Sequence, residues 1–293
     1  MSAGTHIVGP ERDSAAPRRG AGLNWGVRLA SGLLMAALAL AAVVEGGAWF
    51  ATFIGVVTVA GLREWHRMVA GSGYAAYLAI GALALVAALA VSVAVPSLPR
   101  GVPYLILCAA AMVDFALSAA GGGRSLWQAV GPLYLGIPGL ALLGLRTGSG
   151  SGLWLVLVLF AAVWAADTGA LVSGRLIGGP KLAPVLSPNK TWAGFVGGTA
   201  FATLAAALVV ALLGGEPTGG AVVGLALALA AHAGDLFESW VKRRVGRKDS
   251  GHLIPGHGGV LDRIDSILFA VPVCAAFVYL FGAYSILGFG AQP

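Results

Sequence analysis

"AVVGLALALAAHAGDLFESWVKRRVGRKDSGHLIPGHGGVLDRIDSILFAVPVCAAFVYLF", residues 221–281, runs from apolar to densely polar and back to apolar. Its centre, residues 242–265, packs eleven charged or histidine side chains into 24 residues, yet the chain is only 10% charged overall. A soluble domain carries roughly 25% charged residues. This chain is 58% hydrophobic, with a mean hydropathy of +0.87. The flanking runs are therefore read as membrane helices, since a span needs about 20 apolar residues to cross roughly 30 Å of hydrocarbon. The polar stretch is the loop that joins them.

Working outward, the same criterion marks nine spans, near 26–44, 47–62, 75–95, 103–121, 127–145, 152–173, 192–214, 219–237 and 266–288. The expected fold class is an all-α polytopic membrane protein. Residues 1–24 read as a disordered cytoplasmic tail, and 25–293 as one transmembrane catalytic domain. The span 47–62 is short, and 127–145 is broken by Gly131, Gly136, Pro138 and Gly139. Cys108 and Cys274 lie inside spans and read as small buried hydrophobes. No CxxC spacing supports a thiolate metal site.

Basic residues set the orientation, because cytoplasmic loops are enriched in Lys and Arg. Nine spans place Arg100 and Arg146 on one side and the other sixteen basic residues on the side of the N-terminus. That side is expected to be cytoplasmic, with the C-terminus opposite. The net charge of +6 suits anionic headgroups or phosphates. No nucleic-acid module is present.

Two stretches carry chemistry. The first is residues 164–198, "WAADTGALVSGRLIGGPKLAPVLSPNKTWAGFVGG". Asp167 sits well inside a span, where a carboxylate costs roughly 2.5–3.5 kcal/mol, so it faces a cavity or hydrogen-bonds a partner helix. The Gly- and Pro-rich loop that follows can aim N–H and ammonium groups at an anion. "SPNKTW" reads as a helix start, with Pro188 in an early turn, Thr191 as the cap and Lys190 placed for phosphate. Read blandly, the segment is an ordinary basic loop. The second stretch begins with "HAGDLFESWVKR", 232–243. If helical, it sets Asp235, Glu238, Ser239 and Lys242 on one face. After an irregular Gly-rich turn, "VLDRIDS" places Asp262 and Asp265 on one face, with Arg263 pointing elsewhere. Carboxylates gathered without cysteine prefer hard cations, and magnesium takes one or two carboxylates plus substrate phosphates. Asp114, in the fourth span, reads as a helix–helix contact.

Residues 239–265, "SWVKRRVGRKDSGHLIPGHGGVLDRID", resemble the signature of the phosphatidate cytidylyltransferase (CDP-diacylglycerol synthase) family. The matching positions are Ser239, Lys242, Arg243, Lys248, Asp249, Pro255, His257, Gly258, Gly259, Asp262, Arg263 and Asp265. "GDLFES" and "SPNKTWAGFVGG" resemble the family too. The resemblance implies that CTP and phosphatidic acid give CDP-diacylglycerol and pyrophosphate, with Mg2+ and room for a second cation. It implies metal roles for Asp235, Asp262 and Asp265, with Asp167 and Glu238 as further candidates. Lys242, Arg243, Lys248, Asp249, His257 and Arg263 would be catalytic. Ser187, Asn189, Lys190, Thr191, Ser239, Gly258 and Gly259 would bind substrate. A bacterial-type cell membrane is the expected location, and a homodimer remains open. Two alternatives stand beside this reading: a related CTP-using enzyme on a prenyl lipid, and a secondary transporter with intramembrane carboxylates.

Overall fold

A computed structural model describes residues 21–70, 73–122, 125–254, 258–282 and 286–289. Most of the tail expectation and His257 lie outside the described residues, but helix already starts at residue 21, inside the segment expected to be tail. Nine helices occur among the described residues: α1 (Ala21–Glu45), α2 (Gly47–Val69), α3 (Ala75–Ala94), α4 (Val102–Ala120), α5 (Ser125–Thr147), α6 (Gly152–Leu176), α7 (Trp192–Leu212), α8 (Pro217–Arg244) and α9 (Leu261–Phe281). Seven of them, α3 to α9, are long and apolar enough to cross a membrane. α1 contributes a shorter apolar stretch, Leu29–Glu45, and α2 ends in Arg63, Glu64, His66 and Arg67. The protein is a polytopic helical membrane protein.

The packing of α7 inverts the soluble rule of large side chains inside. On α7 the buried residues are Gly194, Gly198, Ala202, Ala206 and Val210, one every four positions. Val196, Leu204, Leu208 and Leu212 are exposed on the other faces. In lipid, helices gain little from hiding leucine, and small residues let backbones approach closely. A Cβ on Gly198 would stand 2.6 Å from the Ala166 carbonyl of α6, and one on Gly224 of α8 would stand 2.6 Å from the Ala206 Cβ. Thus α6, α7 and α8 pack in succession, α9 lies on α8 and α5, and α5 joins α2 and α4.

Three expectations need correction. α5 is one continuous helix with Pro132 and Pro138 inside it. Its glycines are contact points rather than breaks: Gly131 abuts Trp65 and His66, Gly136 abuts Leu107 and Leu85, and Gly139 abuts Thr58 and Ile54. Neighbouring helices make such interruptions tolerable. Cys274 is buried, but Cys108 is exposed, because an apolar span facing lipid has no need to hide it. Finally, the loop after α6 contains an antiparallel hairpin, β1 (Lys181–Ala183) and β2 (Ser187–Thr191). Pro188 lies in β2, so it takes no part in a helical turn. Thr191 does cap α7, its hydroxyl accepting from the Gly194 N–H at 3.0 Å.

Candidate active site

The hairpin, the last turns of α6 and α8 and the first turns of α7 and α9 enclose a polar cavity of about 610 Å3. Asp167, Asn189, Lys190, Thr191, His232, Asp235, Asp262, Arg263 and Asp265 line it. Arg263 therefore faces the same space as Asp262 and Asp265, although the sequence reading set it elsewhere on the turn.

Two lysine–carboxylate pairs organise the charges. Lys190 Nζ stands 2.6 Å from Asp235 Oδ2, with both side chains partly exposed. Lys242 Nζ lies 2.8 Å from Asp262 Oδ1 and 3.0 Å from Glu238 Oε2. Glu238 is fully buried, and its carboxyl adjoins that of Asp265. A buried carboxylate is tolerated when paired; Glu238 has Lys242 one helical turn on. Asp265 Oδ1 accepts from the Ser266 N–H at 2.8 Å. The Ser266 hydroxyl donates to Asp167 Oδ1 at 3.4 Å, so Asp167 both borders the cavity and bonds a partner helix.

The turn before α9 is shaped by Asp262. It accepts from the Gly259 N–H at 2.9 Å and from the Ser250 N–H at 3.2 Å. Gly258 has φ +86° and bridges to Ile254, a backbone that only glycine adopts without strain. A Cβ there would come within 3.0 Å of Asp262 Oδ2.

Other expected residues stand apart from the cavity. Arg243 is spent on the hairpin and loop, donating to the Leu186 and Arg247 carbonyls at 3.2 Å. Lys248 and Asp249 are exposed on the loop after α8, and Ser187 and Ser239 do not line the cavity. Among the described residues, no three His, Cys, Asp or Glu side chains form a ready metal cage.

Three functional candidates escaped the sequence reading. Glu64 of α2 is 2% exposed, and its Oε2 accepts from the Leu261 N–H at 2.8 Å and the Ser250 hydroxyl at 3.3 Å. An acid inside an apolar-patterned helix was the available signal, because acids are almost never fully buried without a partner. His232 lines the cavity with Nε2 unpartnered. Tyr134 is packed against Phe237 and Phe269 with a buried, unpartnered hydroxyl near Asp265 and Glu238.

The pattern of the cytidylyltransferase family matches residues 26–281. The chain belongs to that family. Among family members, the phosphatidate cytidylyltransferase of Pseudomonas aeruginosa is 38% identical over 265 residues, covering 80% of this chain and 90% of the relative. That of Brucella suis is 52% identical over 159 residues, 54% of this chain and 57% of the relative. That of Haemophilus influenzae is 47% identical over 134 residues, 44% and 46% respectively. The chain thus spans little more than half the length of the Brucella relative it matches.

Proposed function

We propose that the protein is an integral-membrane CTP:phosphatidate cytidylyltransferase, making CDP-diacylglycerol and pyrophosphate. One observation carries the reading. The polar cavity meets a second cavity of about 540 Å3, walled by α1, α2, α5, α6 and α9, and Asp167 and Arg263 line both. Met35, Leu38, Phe53, Val57, Leu142 and Ile267 make the second cavity apolar. A nucleotide triphosphate suits the first space, and the chains of a lipid phosphate suit the second, with the reacting phosphate at their junction. The family and the names of its relatives agree with this substrate pair.

The donor set of Asp235, Asp262 and Asp265 is all oxygen, which fits a hard cation such as Mg2+. Asp235 and Asp262, each paired with a lysine ammonium in this structure, would hold such a cation together with Asp265. Mg2+ bound there would neutralise phosphate charge. Lys190 and Arg263, which line the cavity, and Lys242, beside Asp262, would contact the phosphates. An oxygen of the lipid phosphate, already ionised, attacks the α-phosphorus of CTP. The bond between the α-phosphorus and the bridging oxygen breaks, and pyrophosphate leaves with the electron pair. No general base is needed, which accounts for a site of acids and bases without a nucleophilic triad; positioning and charge stabilisation supply the rate. On this reading the site faces the cytoplasm of a bacterial-type inner membrane; the excess of Lys and Arg on one side of the spans supports the orientation.

The test is purified protein with CTP, Mg2+ and either phosphatidic acid or a prenyl phosphate. Pyrophosphate release that depends on phosphatidic acid is expected. Release with the prenyl phosphate alone, or with neither lipid, overturns the assignment. For orientation, cysteines replacing Arg244 and Glu216 should label from opposite faces of sealed vesicles, Arg244→Cys from the cytoplasmic face.

A further inference from the structure

Ser250 at one end of the signature turn and residues 259–261 at the other are held by the same two acids, Asp262 and Glu64. Ser250 gives its N–H to Asp262 and its hydroxyl to Glu64. Gly259 gives its N–H to Asp262 at 2.9 Å, and the next donor but one, Leu261 N–H, goes to Glu64 at 2.8 Å. Leu261 opens α9, and the first N–H groups of a helix have no carbonyl of their own helix to bond. Val260, the residue at the cap position, offers no side-chain oxygen. Glu64 supplies the missing acceptor from α2, 197 residues earlier in the chain.

The fit is close. A Cβ on Gly251 would collide with the Glu64 carboxylate, and one on Gly259 would come within 2.5 Å of Glu64 Oε2. Glycine at both places is what admits the acid. Glu64 Oε1 is buried and has no hydrogen-bond donor. A buried carboxylate with an unpartnered oxygen is costly to keep. Such a group is poor glue between helices, so its value lies in what Oε2 orients.

We propose that Glu64 is a positioning residue for the active site: by fixing Ser250 and the first N–H of α9, it sets the direction of the Asp262 carboxylate. Asp262 is the residue after Leu261, and its oxygens are divided between the turn and Lys242. Loosening the Leu261 end frees Asp262 to turn away from the cavity. Glu64 lines neither cavity. The inference rests on the proposed cation-binding role of Asp262.

The experiment compares Glu64→Ala, Glu64→Asp and Glu64→Gln by Mg2+ dependence of pyrophosphate release and by hydrogen exchange of the full-length protein in detergent. Partners that orient a metal ligand typically contribute about ten- to hundredfold in metal affinity or activity. Glu64→Ala and Glu64→Asp are expected to raise the Mg2+ concentration for half-maximal activity by about that factor, with a smaller effect at saturation. Their exchange should quicken over residues 250–262 and stay unchanged in α6 and α7. Glu64→Gln keeps an acceptor oxygen at the same reach and should stay close to the native protein. Native Mg2+ dependence and native exchange in Glu64→Ala overturn the proposal, as does a lowered melting temperature with unaltered Mg2+ dependence. If Glu64→Ala fails to fold, Ser250→Ala removes one donor and must show a smaller shift of the same kind, or the proposal fails. Should the native protein release no pyrophosphate, the enzymatic reading falls by itself, and exchange over residues 250–262 still decides whether Glu64 holds the turn.

Discussion

The two cavities are nearly equal in size, about 610 and 540 Å3, and opposite in chemistry. The polar one is built on the site-bearing ends of α6, α7, α8 and α9 and on the hairpin. The apolar one is built on α1, α2 and α5, closed again by α6 and α9. Those two helices form the shared wall, and they expose Asp167 and Arg263 to both sides. The same helices thus border a charged space on one face and an apolar one on the other. The difference shows what a chain with few charges does with them: it concentrates them in one of two adjoining spaces.

The sharpest way to break this contrast is at Asp262. Asp262→Asn should abolish turnover at any attainable Mg2+ concentration while leaving the protein folded. The amide oxygen can still accept from the Gly259 N–H, and Lys242 keeps Glu238 at 3.0 Å, so no ammonium is left unpaired. Activity against Mg2+ concentration, beside a melting curve in detergent, checks this. A lowered melting temperature with normal Mg2+ dependence would make Asp262 a structural partner of Lys242 instead.

Lys190→Ala should have the next largest effect. A lost charge-assisted contact to phosphate costs about 1.5–3 kcal/mol, read as a lower kcat/KM for CTP or lipid. Stability should barely move, since Asp235 is 36% exposed and exposed pairs contribute about 0–1 kcal/mol. Unchanged kinetics for both substrates would return Lys190 to the role of an ordinary loop residue. The smallest effect is expected on the apolar side. Val57→Trp fills part of that cavity and should raise KM for phosphatidic acid several-fold, leaving KM for CTP unaltered. A matching rise for CTP would show that the two spaces do not divide the substrates.

The helices were readable from sequence because apolar run length is a strong signal: the expected start at 75 and the expected spans 103–121 and 152–173 fall within a few residues of α3, α4 and α6. Shared faces also came through, since Asp235 with Glu238 and Asp262 with Asp265 follow from helical spacing alone. α8 runs to Arg244 and α9 begins at Leu261, so both reach into the polar segment further than hydropathy suggests. The hairpin was invisible, because three- and five-residue strands in a Gly- and Pro-rich segment carry no period. Arg243 and Lys248 matched a motif, yet a motif does not tell which bases face the cavity and which hold the loop. Glu64 could not be linked to Leu261, because contacts between distant parts of a chain leave no local pattern.

The lysine–carboxylate pairs bear on how the protein is made. α8 carries Asp235, Glu238 and Lys242, and the partner that completes the Lys242 cluster, Asp262, is on α9. During synthesis α8 leaves the ribosome with Lys190 already available for Asp235, whereas Asp262 emerges about twenty residues after Lys242. α9 thus adds the second carboxylate on Lys242, after Lys242 has already met Glu238 within α8. A nascent chain ending before Leu261 lacks Asp262 and Asp265, and the N–H that Glu64 accepts.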